Sequence, residues 1–495
     1  MNSKERVLIV VVLLTLCCTG LAGEQMNILM IVSEDNGPEL SCYGDPYVKT
    51  PVLDALAKEG VRFTRAHVPQ AGCSQSRAAL LTGLFPHQNG QIGLATWGYR
   101  MYRKDTPNMV RSLKAAGYRT GIIGKLHVNP ESAFPFDFKA IGSSNFRRHS
   151  LAKYAKSALQ FFTAGDKPFF LSINYPDAHR PFIPVKNGMP TMPLKDEDVK
   201  TLPFIGLDTP GIRKQTANYY NCMMRLDSLI GKLLKNLKAS GKYENTLIVY
   251  FGDHGAPMLR GKCTIYDAGT RVPLIVRAPG GKADQVRNEL VSTLDLFPTF
   301  LEFVGVKPVA ALPGQSLMPI IRGETPKWRT YLHTEYHLHS NHNYYPQRAV
   351  RNDRYKLIEN LQPGVADVSG YAFATNRHFG HDFETALSKA PVRVREAYAL
   401  LRRAPKYQLY DLAKDPYEFN NLAGKSEYEK VQDELSAELT RWRKATNDPM
   451  LDPRNVIRLK AEIEATYING EYTKKKGPWE YPDYFFKEAR NERPK

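Results

Sequence analysis

The chain has 495 residues, of which 42% are hydrophobic and 24% charged, so it is long enough to bury a large core and most of it is expected to be folded. Its 68 basic and 50 acidic residues give a formal net charge of +18, which favours an acidic partner such as an anionic surface or a sulfated or phosphorylated substrate. Nucleic acid is disfavoured as a partner, because the basic residues are scattered along the chain and no nucleic-acid-binding module is recognisable.

The first 22 residues predict a signal peptide. Lys4 and Arg6 precede the apolar run Val7–Leu16, and the small-residue stretch Gly20-Leu21-Ala22 offers a cleavage site. The run is about half of the ~20 residues that a membrane span needs, and no other stretch is long and apolar enough. We therefore expect no stable membrane insertion and export to a periplasmic, extracellular or lysosome-like compartment.

The cysteines do not predict a disulfide scaffold. Two of the six, Cys17 and Cys18, lie in the predicted leader. The remaining four are Cys42, Cys73, Cys222 and Cys263. Four cysteines are few for an exported chain of this size, and each is by default a small buried hydrophobic residue.

Four short apolar runs predict strands of an α/β sheet covered by helices. They are Asn27–Val32, Thr120–Gly124, Phe169–Tyr175 and Thr246–Phe251. Each run is followed by polar residues, which are Glu34-Asp35, Lys125 and His127, Asp177 and His179, and Asp253-His254. Ligands of open α/β sheets bind beyond the carboxyl ends of the strands, so these four groups predict one shared site.

The helix pattern divides the chain into regions. Leu and Ile recur at helical spacing in Thr50–Gly60, Val110–Ala116 and Thr216–Ala239. From about Thr325 the pattern changes to predicted strands in Arg348–Leu361 and Tyr407–Leu412 and an amphipathic helix in Ser426–Thr446. We predict a catalytic domain over residues 25–324, a smaller C-terminal α+β subdomain over 325–450, and a basic tail over 451–495 without clear periodicity.

The segment Cys73-Ser74-Gln75-Ser76-Arg77, followed by Leu81-Thr82-Gly83, resembles the sulfatase signature, Cys-x-Pro-Ser-Arg before a short helix ending in Leu-Thr-Gly. Further matching stretches extend over nearly the whole chain, and they are Thr50–Asp54, Glu59–Phe63, Gly124–His127, Gly261-Lys262 and Arg271–Pro273. The chain is thus identified as a member of the sulfatase family. The resemblance implies an alkaline-phosphatase-like fold, with a large central mixed sheet flanked by helices. Gln75 departs from the signature by replacing its proline.

In the family, a maturation enzyme oxidises the signature cysteine, here Cys73, to formylglycine. The charge on a sulfate ester or sulfamate repels nucleophiles, so the site must supply a strong nucleophile and positive charge. One hydroxyl of the hydrated aldehyde attacks sulfur, and the other then expels sulfate by reforming the aldehyde. The resemblance gives Arg77, Lys125 and Lys262 the task of holding the diol or the sulfate oxygens. It makes His127 the base that orients the diol and His179 the acid at the leaving group.

The acidic pairs predict a metal site. Glu34-Asp35 and Asp253-His254 supply three carboxylates and an imidazole, a donor set that suits a hard divalent cation. The resemblance implies one calcium ion per chain, held by these four residues together with the modified Cys73. The ion would bind a sulfate oxygen and lower the pKa of the attacking hydroxyl. Glu34 replaces an aspartate usual in the family, and His254 leaves magnesium, manganese or zinc open.

Shorter matches to one branch of the family indicate which substrate to expect. The stretches His87–Gly90, Pro135–Phe138, Tyr355–Leu357 and Leu409–Asp411 most resemble the heparan N-sulfatase branch, which hydrolyses the sulfamate of a terminal glucosamine. The segment His333–Arg348 stands where that branch has a His-bearing substrate loop, with His337, His339 and His342 in a different register. Lys262 replaces an arginine of that branch. We expect an exo-acting hydrolase of sulfated glycosaminoglycan sugars, with N-sulfoglucosamine first and an O-sulfated hexose or hexosamine second.

Two other function classes remain open. The same fold and acidic pairs serve phosphatases, phosphodiesterases and phosphonate hydrolases, although these usually have a Ser or Thr nucleophile and a richer set of ligands for two metals. A non-catalytic polyanion binder would arise if Gln75 prevented maturation, and it predicts decay of the catalytic residues. Every expected catalytic side chain is present, which favours the sulfatase. The sequence leaves the oligomeric state open.

Overall fold

The structure is a computed structural model that describes residues 26–308, 310–367, 371, 375, 382–475 and 477–486. The signal peptide predicted at 1–22 lies outside the described residues. Among the helices in the described part of the chain, none combines the length and the apolar character needed to cross a membrane.

Nine strands of the described residues form the main sheet. They are β1 Asn27–Ser33, β2 Val61–His67, β3 Arg119–Gly124, β4 Phe138–Ala140, β5 Phe169–Tyr175, β6 Thr246–Gly252, β7 Arg271–Arg277, β8 Gln285–Arg287 and β9 Val291–Ser292. Their order is β4-β3-β5-β1-β6-β7-β2-β8, with β9 also paired to β2. Because β1 is parallel to β5 and β6 while β7 is antiparallel to β6 and β2, the sheet is mixed, as predicted.

The four strands expected from apolar runs are β1, β3, β5 and β6, and all four are confirmed. Every residue of β1, β5 and β6 is buried. Alternate residues of β1 enter two separate cores, Leu29 and Ile31 on one face of the sheet and Ile28 and Met30 on the other. Helices cover both faces, which explains why these strands are continuously apolar rather than alternating.

Helices fill both layers around this sheet. Their bounds are Pro51–Lys58, Cys73–Thr82, Pro86–Asn89, Met109–Ala115, Ala152–Thr163, Pro210–Ala239, Asp267–Thr270, Leu296–Phe303 and Met318–Ile321. The three predicted helices are present, but the long one begins at Pro210 rather than at Thr216. Thr209 caps its start by accepting the Ile212 N–H at 3.2 Å, and proline suits the first helical position.

A separate antiparallel sheet forms the C-terminal part, with strands β10 Leu332–Tyr336, β11 Gln347–Arg351, β12 Tyr355–Asn360 and β13 Tyr407–Asp411 in that order. Helices Asp382–Ser388, Val392–Arg402 and Glu429–Ala445 accompany it. Leu435, Leu439 and Trp442 of the last helix share a core with Val350 and Leu357 of the sheet. The predicted fold class is therefore confirmed, while the domain boundary near residue 325 stays a prediction.

The tail differs from the expectation of no regular element. It contains the helices Pro453–Glu464 and Tyr481–Phe485 and the two-residue strands β14 Tyr467–Ile468 and β15 Glu471–Tyr472. Val456, Leu459 and Ile463 are buried at helical spacing, a short signal that the surrounding charged residues obscure. Trp479 stacks on Tyr99 with ring centroids 4.4 Å apart, so aromatic packing docks the tail on the segment around Tyr99.

Candidate active site

The polar residues after β1 and β6 meet because these two strands are parallel neighbours in register, with Ser33 beside Gly252. The Asp253 N–H donates to the Ser33 carbonyl at 2.9 Å, and the Asp35 N–H donates to Asp253 Oδ1 at 2.8 Å. Both acids are 1% exposed. The carboxyl edge of the sheet thus places two predicted acidic groups in contact, as their positions after the strands indicate.

Cys73 is the first residue of the helix Cys73–Thr82, and it lies against these acids. Its Sγ is 3.3 Å from His254 Nε2, 3.4 Å from Lys262 Nζ and 3.9 Å from Asp35 Oδ1. Burial raises the pKa of the thiol, but nearby lysines, Lys125 foremost, outweigh it and lower the pKa to about 7.

Gln75, which replaces the proline of the signature, is fully buried and ties this helix to neighbouring loops. Its Nε2 donates to the carbonyl of Leu338 at 2.6 Å and of Ile92 at 3.3 Å. The Ser74 hydroxyl accepts the Ala95 N–H at 2.9 Å. The helix start is therefore held by side-chain hydrogen bonds in the folded protein.

Glu34 receives two of the predicted cations. Lys125 Nζ lies 2.9 and 2.8 Å from its two carboxylate oxygens, and Arg77 Nη2 lies 2.6 Å from Oε1. Arg77 also reaches Asp253 Oδ2 through Nε at 3.2 Å and Asn174 Oδ1 through Nη1 at 2.7 Å. Although burial raises the pKa of Glu34, Lys125 and Arg77 hold it well below its usual range.

Asp35 is paired with the third cation, because Lys262 Nζ lies 2.9 and 3.0 Å from its two oxygens. Here too, burial raises the pKa of the carboxyl, but Lys262 and nearby histidines hold it well below its usual range. Asp253 differs, since burial raises its pKa to about 7. Three carboxylates and three long cationic side chains therefore share one buried volume at the sheet edge.

The donor set fits a divalent cation. The ligand atoms of Asp35, Cys73, Asp253 and His254 all lie within 4.8 Å of one another, and so do those of Glu34, Asp35, Cys73 and His179. His254 Nδ1 donates to the Gly255 carbonyl at 3.0 Å, which leaves Nε2 as the ligand atom facing Asp35. Carboxylate oxygens with one imidazole are typical donors for such an ion.

His127 and His179 stand at the rim of this cluster. His127 follows β3 with a left-handed φ of 60°, its Nδ1 has no partner among the described residues, and burial lowers the pKa of its ring well below the usual value. His179 stacks on Phe146 with ring centroids 3.6 Å apart. Its Nε2 lies 3.9 Å from Asp35 Oδ2, and burial lowers its pKa to about 3. Asp35 also has a left-handed φ, of 54°.

A cavity opens beside the cluster, lined by Asp35, His179 and Lys262 on one side and by C-terminal residues such as Tyr336 and His339 on the other. His339 is buried with an unpartnered Nδ1 among the described residues. Of the three histidines noted in the substrate-loop segment, it is the one that lines this cavity. His337 is fully buried beside Glu335, and His342 packs between Trp97 and Tyr472.

The structure therefore brings all the predicted site residues to one edge of the sheet. The sequence did not predict Phe146 beneath His179, because nothing in the local pattern marks it. His339 was only one of several histidines, and alternation along the chain does not show which side chain faces the cavity. Arg260 also lines the cavity and was not singled out from the sequence.

Residues 26–306 match the family model described as Sulfatase, and residues 252–365 match the one described as N-sulphoglucosamine sulphohydrolase, C-terminal. The N-sulphoglucosamine sulphohydrolase of Homo sapiens is 31% identical over 490 residues, covering 90% of this chain and 95% of that protein. An ulvan-active sulfatase of Formosa agariphila is 30% identical over 445 residues, covering 86% of this chain and 81% of that protein.

Two solved structures show the same fold at lower identity. A protein in complex with its substrate D-glucosamine-2-N,6-O-disulfate is 22% identical, with a TM-score of 0.65 over 87% of this chain and 99% of that chain. A phosphonate monoester hydrolase of Agrobacterium radiobacter is 21% identical, with a TM-score of 0.62 over 85% of this chain and 96% of that chain. Because both identities are low, these likenesses extend to the fold alone.

Proposed function

The chain belongs to the sulfatase family, and on this premise we propose that it hydrolyses the sulfamate of N-sulfoglucosamine in glycosaminoglycan-type sugars after export from the cytoplasm. The observation that carries the proposal is the convergence of His254 and Lys262 on Cys73 Sγ, at 3.3 and 3.4 Å, beside a cavity. The identity to the human N-sulphoglucosamine sulphohydrolase along 90% of the chain supports the choice of sugar. Hydrolysis of an O-sulfated sugar is the second candidate, since other similar proteins are named for other sulfated glycans.

We propose that a maturation enzyme converts Cys73 to formylglycine, whose hydrated aldehyde supplies the hydroxyl that attacks sulfur and a second hydroxyl that releases sulfate. In the present structure the thiol marks the place of that side chain. Lys262 contacts it, while Lys125 and Arg77 are fixed nearby by Glu34. These fixed cations neutralise the oxygens of the sulfuryl group without having to reorganise during the reaction.

A calcium ion held by Glu34, Asp35, Asp253 and His254 would polarise a sulfate oxygen and lower the pKa of the attacking hydroxyl. His127 then serves as the base, because its buried ring is neutral at pH 7 and its Nδ1 is unpartnered among the described residues. His179, whose side chain is 14% exposed at the cavity wall, is the proton donor to the leaving group, a role that requires the negative charge of the bound substrate to raise its pKa from the value of about 3 that burial gives it. Its stacking on Phe146 fixes the plane of the ring.

The substrate is tested by sulfate release from N-, 2-O-, 3-O-, 4-O- and 6-O-sulfated sugars, beside a phosphate monoester. We expect the highest kcat/KM on N-sulfoglucosamine. Preference for an O-sulfated sugar would contradict the choice of substrate and keep the sulfatase. Preference for the phosphate ester would contradict both and favour the phosphoryl-transfer alternative.

The nucleophile is tested in protein made together with a maturation enzyme. The peptide that holds Cys73 should show the mass of formylglycine, and Cys73→Ala should lower kcat by at least about ten-thousandfold, because the nucleophile is lost. The melting temperature should stay close to that of the wild type, since one small side chain contributes little to stability. Cys42→Ala, a substitution at a cysteine outside the cluster, is the matched control. Active protein that holds only unmodified Cys73 would contradict the mechanism.

A further inference from the structure

Arg260 lies in the wall of the cavity, just before Gly261-Lys262 in the loop between β6 and β7. Its side chain is 2% exposed, and its guanidinium carbon lies 4.4 Å from the ring centroid of Tyr266 and 4.6 Å from that of Phe419. Nη2 donates to the carbonyls of Tyr417 at 2.9 Å and Glu418 at 2.7 Å. The group is therefore fixed both by its own loop and by the C-terminal part of the chain.

The rest of this guanidinium is unused. Nε and Nη1 are buried and have no hydrogen-bond partner within the described residues. Two acids of the neighbouring segments are occupied elsewhere, since Lys356 lies 2.9 Å from Asp267 and 2.8 Å from Glu418. A buried cation without a paired carboxylate is costly, and two carbonyls and two aromatic faces offset only part of its lost hydration.

The other buried arginines do not share this property. Each forms an ion pair with a carboxylate, and they are Arg77, Arg148, Arg225, Arg277, Arg348, Arg351 and Arg443. Arg260 is the exception among the buried arginines that the structure describes. It is also in the wall of the cavity that holds Lys262 and His179. Arg260 thus combines a buried charge that has no carboxylate partner among the residues described with a place in the wall of this cavity.

We propose that Arg260 binds a second anionic group of the substrate, separate from the sulfate that is cleaved. The inference rests on the proposed function and deepens it, because it selects sugars that carry two negative groups. The ligand chemistry is an oxyanion, either a second sulfate on the same sugar or the carboxylate of a linked uronic acid. Both accept charge-assisted hydrogen bonds from the unpartnered N–H groups of a guanidinium, which keeps its charge at any physiological pH.

The test compares kcat/KM on three substrates: N-sulfoglucosamine, its 6-O-sulfated form, and a disaccharide of N-sulfoglucosamine linked to a uronic acid. The wild type should prefer one of the two doubly charged sugars by about tenfold or more, and the preferred one identifies the anion. Arg260→Met keeps the packing between the aromatic rings. In this variant the ratio of kcat/KM on the preferred sugar to kcat/KM on N-sulfoglucosamine should fall close to one. Arg260→Lys keeps the charge and should retain part of the ratio.

Arg277→Met is the matched control. Arg277 also lies over an aromatic ring, 4.6 Å from the centroid of Tyr243, and donates to a backbone carbonyl, but it is paired with Glu244 and does not line the cavity. This variant should keep the wild-type ratio. An equal loss of kcat/KM on all three substrates in Arg260→Met would overturn the inference. It would indicate that Arg260 only holds its own loop against the C-terminal part of the chain.

A wild-type ratio near one would overturn the inference as well, and this measurement does not depend on whether the Arg260 variants fold. If the proposed function is wrong, the result is different: the wild type releases sulfate from none of the three sugars. In that case calorimetry on Cys73→Ala compares the Kd values of the same sugars. Tighter binding of a doubly charged sugar by about tenfold supports the role of Arg260, and equal Kd values overturn it.

Discussion

Two buried clusters of charged side chains in this molecule have similar composition and different organisation. The edge cluster consists of Glu34, Asp35, Arg77, Lys125, Asp253 and Lys262, at the carboxyl ends of the central strands. The C-terminal cluster consists of His87, Glu335, Arg348, Arg443 and Asp448, between the helix Pro86–Asn89 and the C-terminal sheet. The edge-cluster side chains are at most 12% exposed, and those of the C-terminal cluster at most 8%.

The C-terminal cluster is closed. Arg348 holds Asp448 with two hydrogen bonds of 2.9 and 2.8 Å, and Arg443 adds a third of 2.8 Å. Glu335 lies 2.5 Å from His87 Nδ1. Burial raises the pKa of Asp448, but Arg348 outweighs it and holds this pKa far below its usual range. These contacts connect segments that are distant in the sequence, so the cluster stabilises the fold.

The edge cluster, in contrast, surrounds a thiol and retains, in the residues that the structure describes, an unpartnered ring nitrogen beside it. Cys73 Sγ stands among its charges, His127 beside it has an unpartnered Nδ1 in the described part of the chain, and Asp35 and His127 have left-handed backbone. Burial and charge are thus common to both clusters. The C-terminal cluster also borders a pocket, through His87 and Asp448, so what marks the edge cluster as the candidate site is the thiol among its charges and a donor set that suits a divalent cation.

The largest effect is expected from the edge cluster through its proposed metal. Asp35→Asn should lower kcat per folded molecule by about a thousandfold or more, because the proposed cation would supply charge neutralisation and activate the nucleophile. Exhaustive chelation of the wild type should remove activity, and calcium should restore it. Activity that survives chelation would contradict the metal assignment of Glu34, Asp35, Asp253 and His254. Asp448→Asn, in the C-terminal cluster, should lose stability and retain kcat per folded molecule.

The next effect concerns stability. Arg348→Met removes the bidentate partner of Asp448, and breaking a buried ion pair of this kind should cost about 3–5 kcal/mol of the free energy of unfolding. Chemical denaturation measures the loss, and kcat per folded molecule should not change. The control is Arg354→Met, because Arg354 is half exposed and solvent screens its pair with Asp411, so that this substitution should change the free energy of unfolding little. A large drop in kcat at unchanged stability would contradict the structural role of the C-terminal cluster, since it would show that this cluster takes part in catalysis.

The edge cluster could be predicted from the sequence because its information is local. Each apolar run ends at its polar residues, and the parallel neighbours β1 and β6 bring Glu34-Asp35 and Asp253-His254 together. Arg77, Lys262 and the proposed nucleophile Cys73 were predicted by resemblance. The central fold was predictable for the same reason, since strands buried on both faces appear as continuous apolar runs.

The C-terminal cluster could not be predicted, because Arg348 and Asp448 are far apart in the sequence and neither stands in a periodic pattern. The same limit applies to Arg260, whose neighbours Tyr266 and Phe419 come from different parts of the chain. Tertiary packing decides which buried charge finds a partner. The tail helix Pro453–Glu464 was missed for a different reason, since its buried positions are few among charged residues.

The smallest expected effect is on the pH dependence of stability near the C-terminal cluster. His337 is fully buried next to the C-terminal cluster, with Nε2 3.5 Å from Glu335 Oε1, and burial together with Arg348 lowers its pKa to about 4. Between pH 6.5 and about 4 the unfolded chain binds a proton at this residue that the folded chain does not, so this group makes stability fall as the pH falls. The slope from one such group is at most about 1.4 kcal/mol per pH unit. His337→Gln should therefore show a shallower loss of unfolding free energy than the wild type when both are denatured chemically at pH 4.5, 5.5, 6.5 and 7.5. Parallel pH profiles of the two proteins would mean that His337 has the same pKa in the folded and unfolded chain. The prediction that burial beside the C-terminal cluster lowers this pKa would then be wrong.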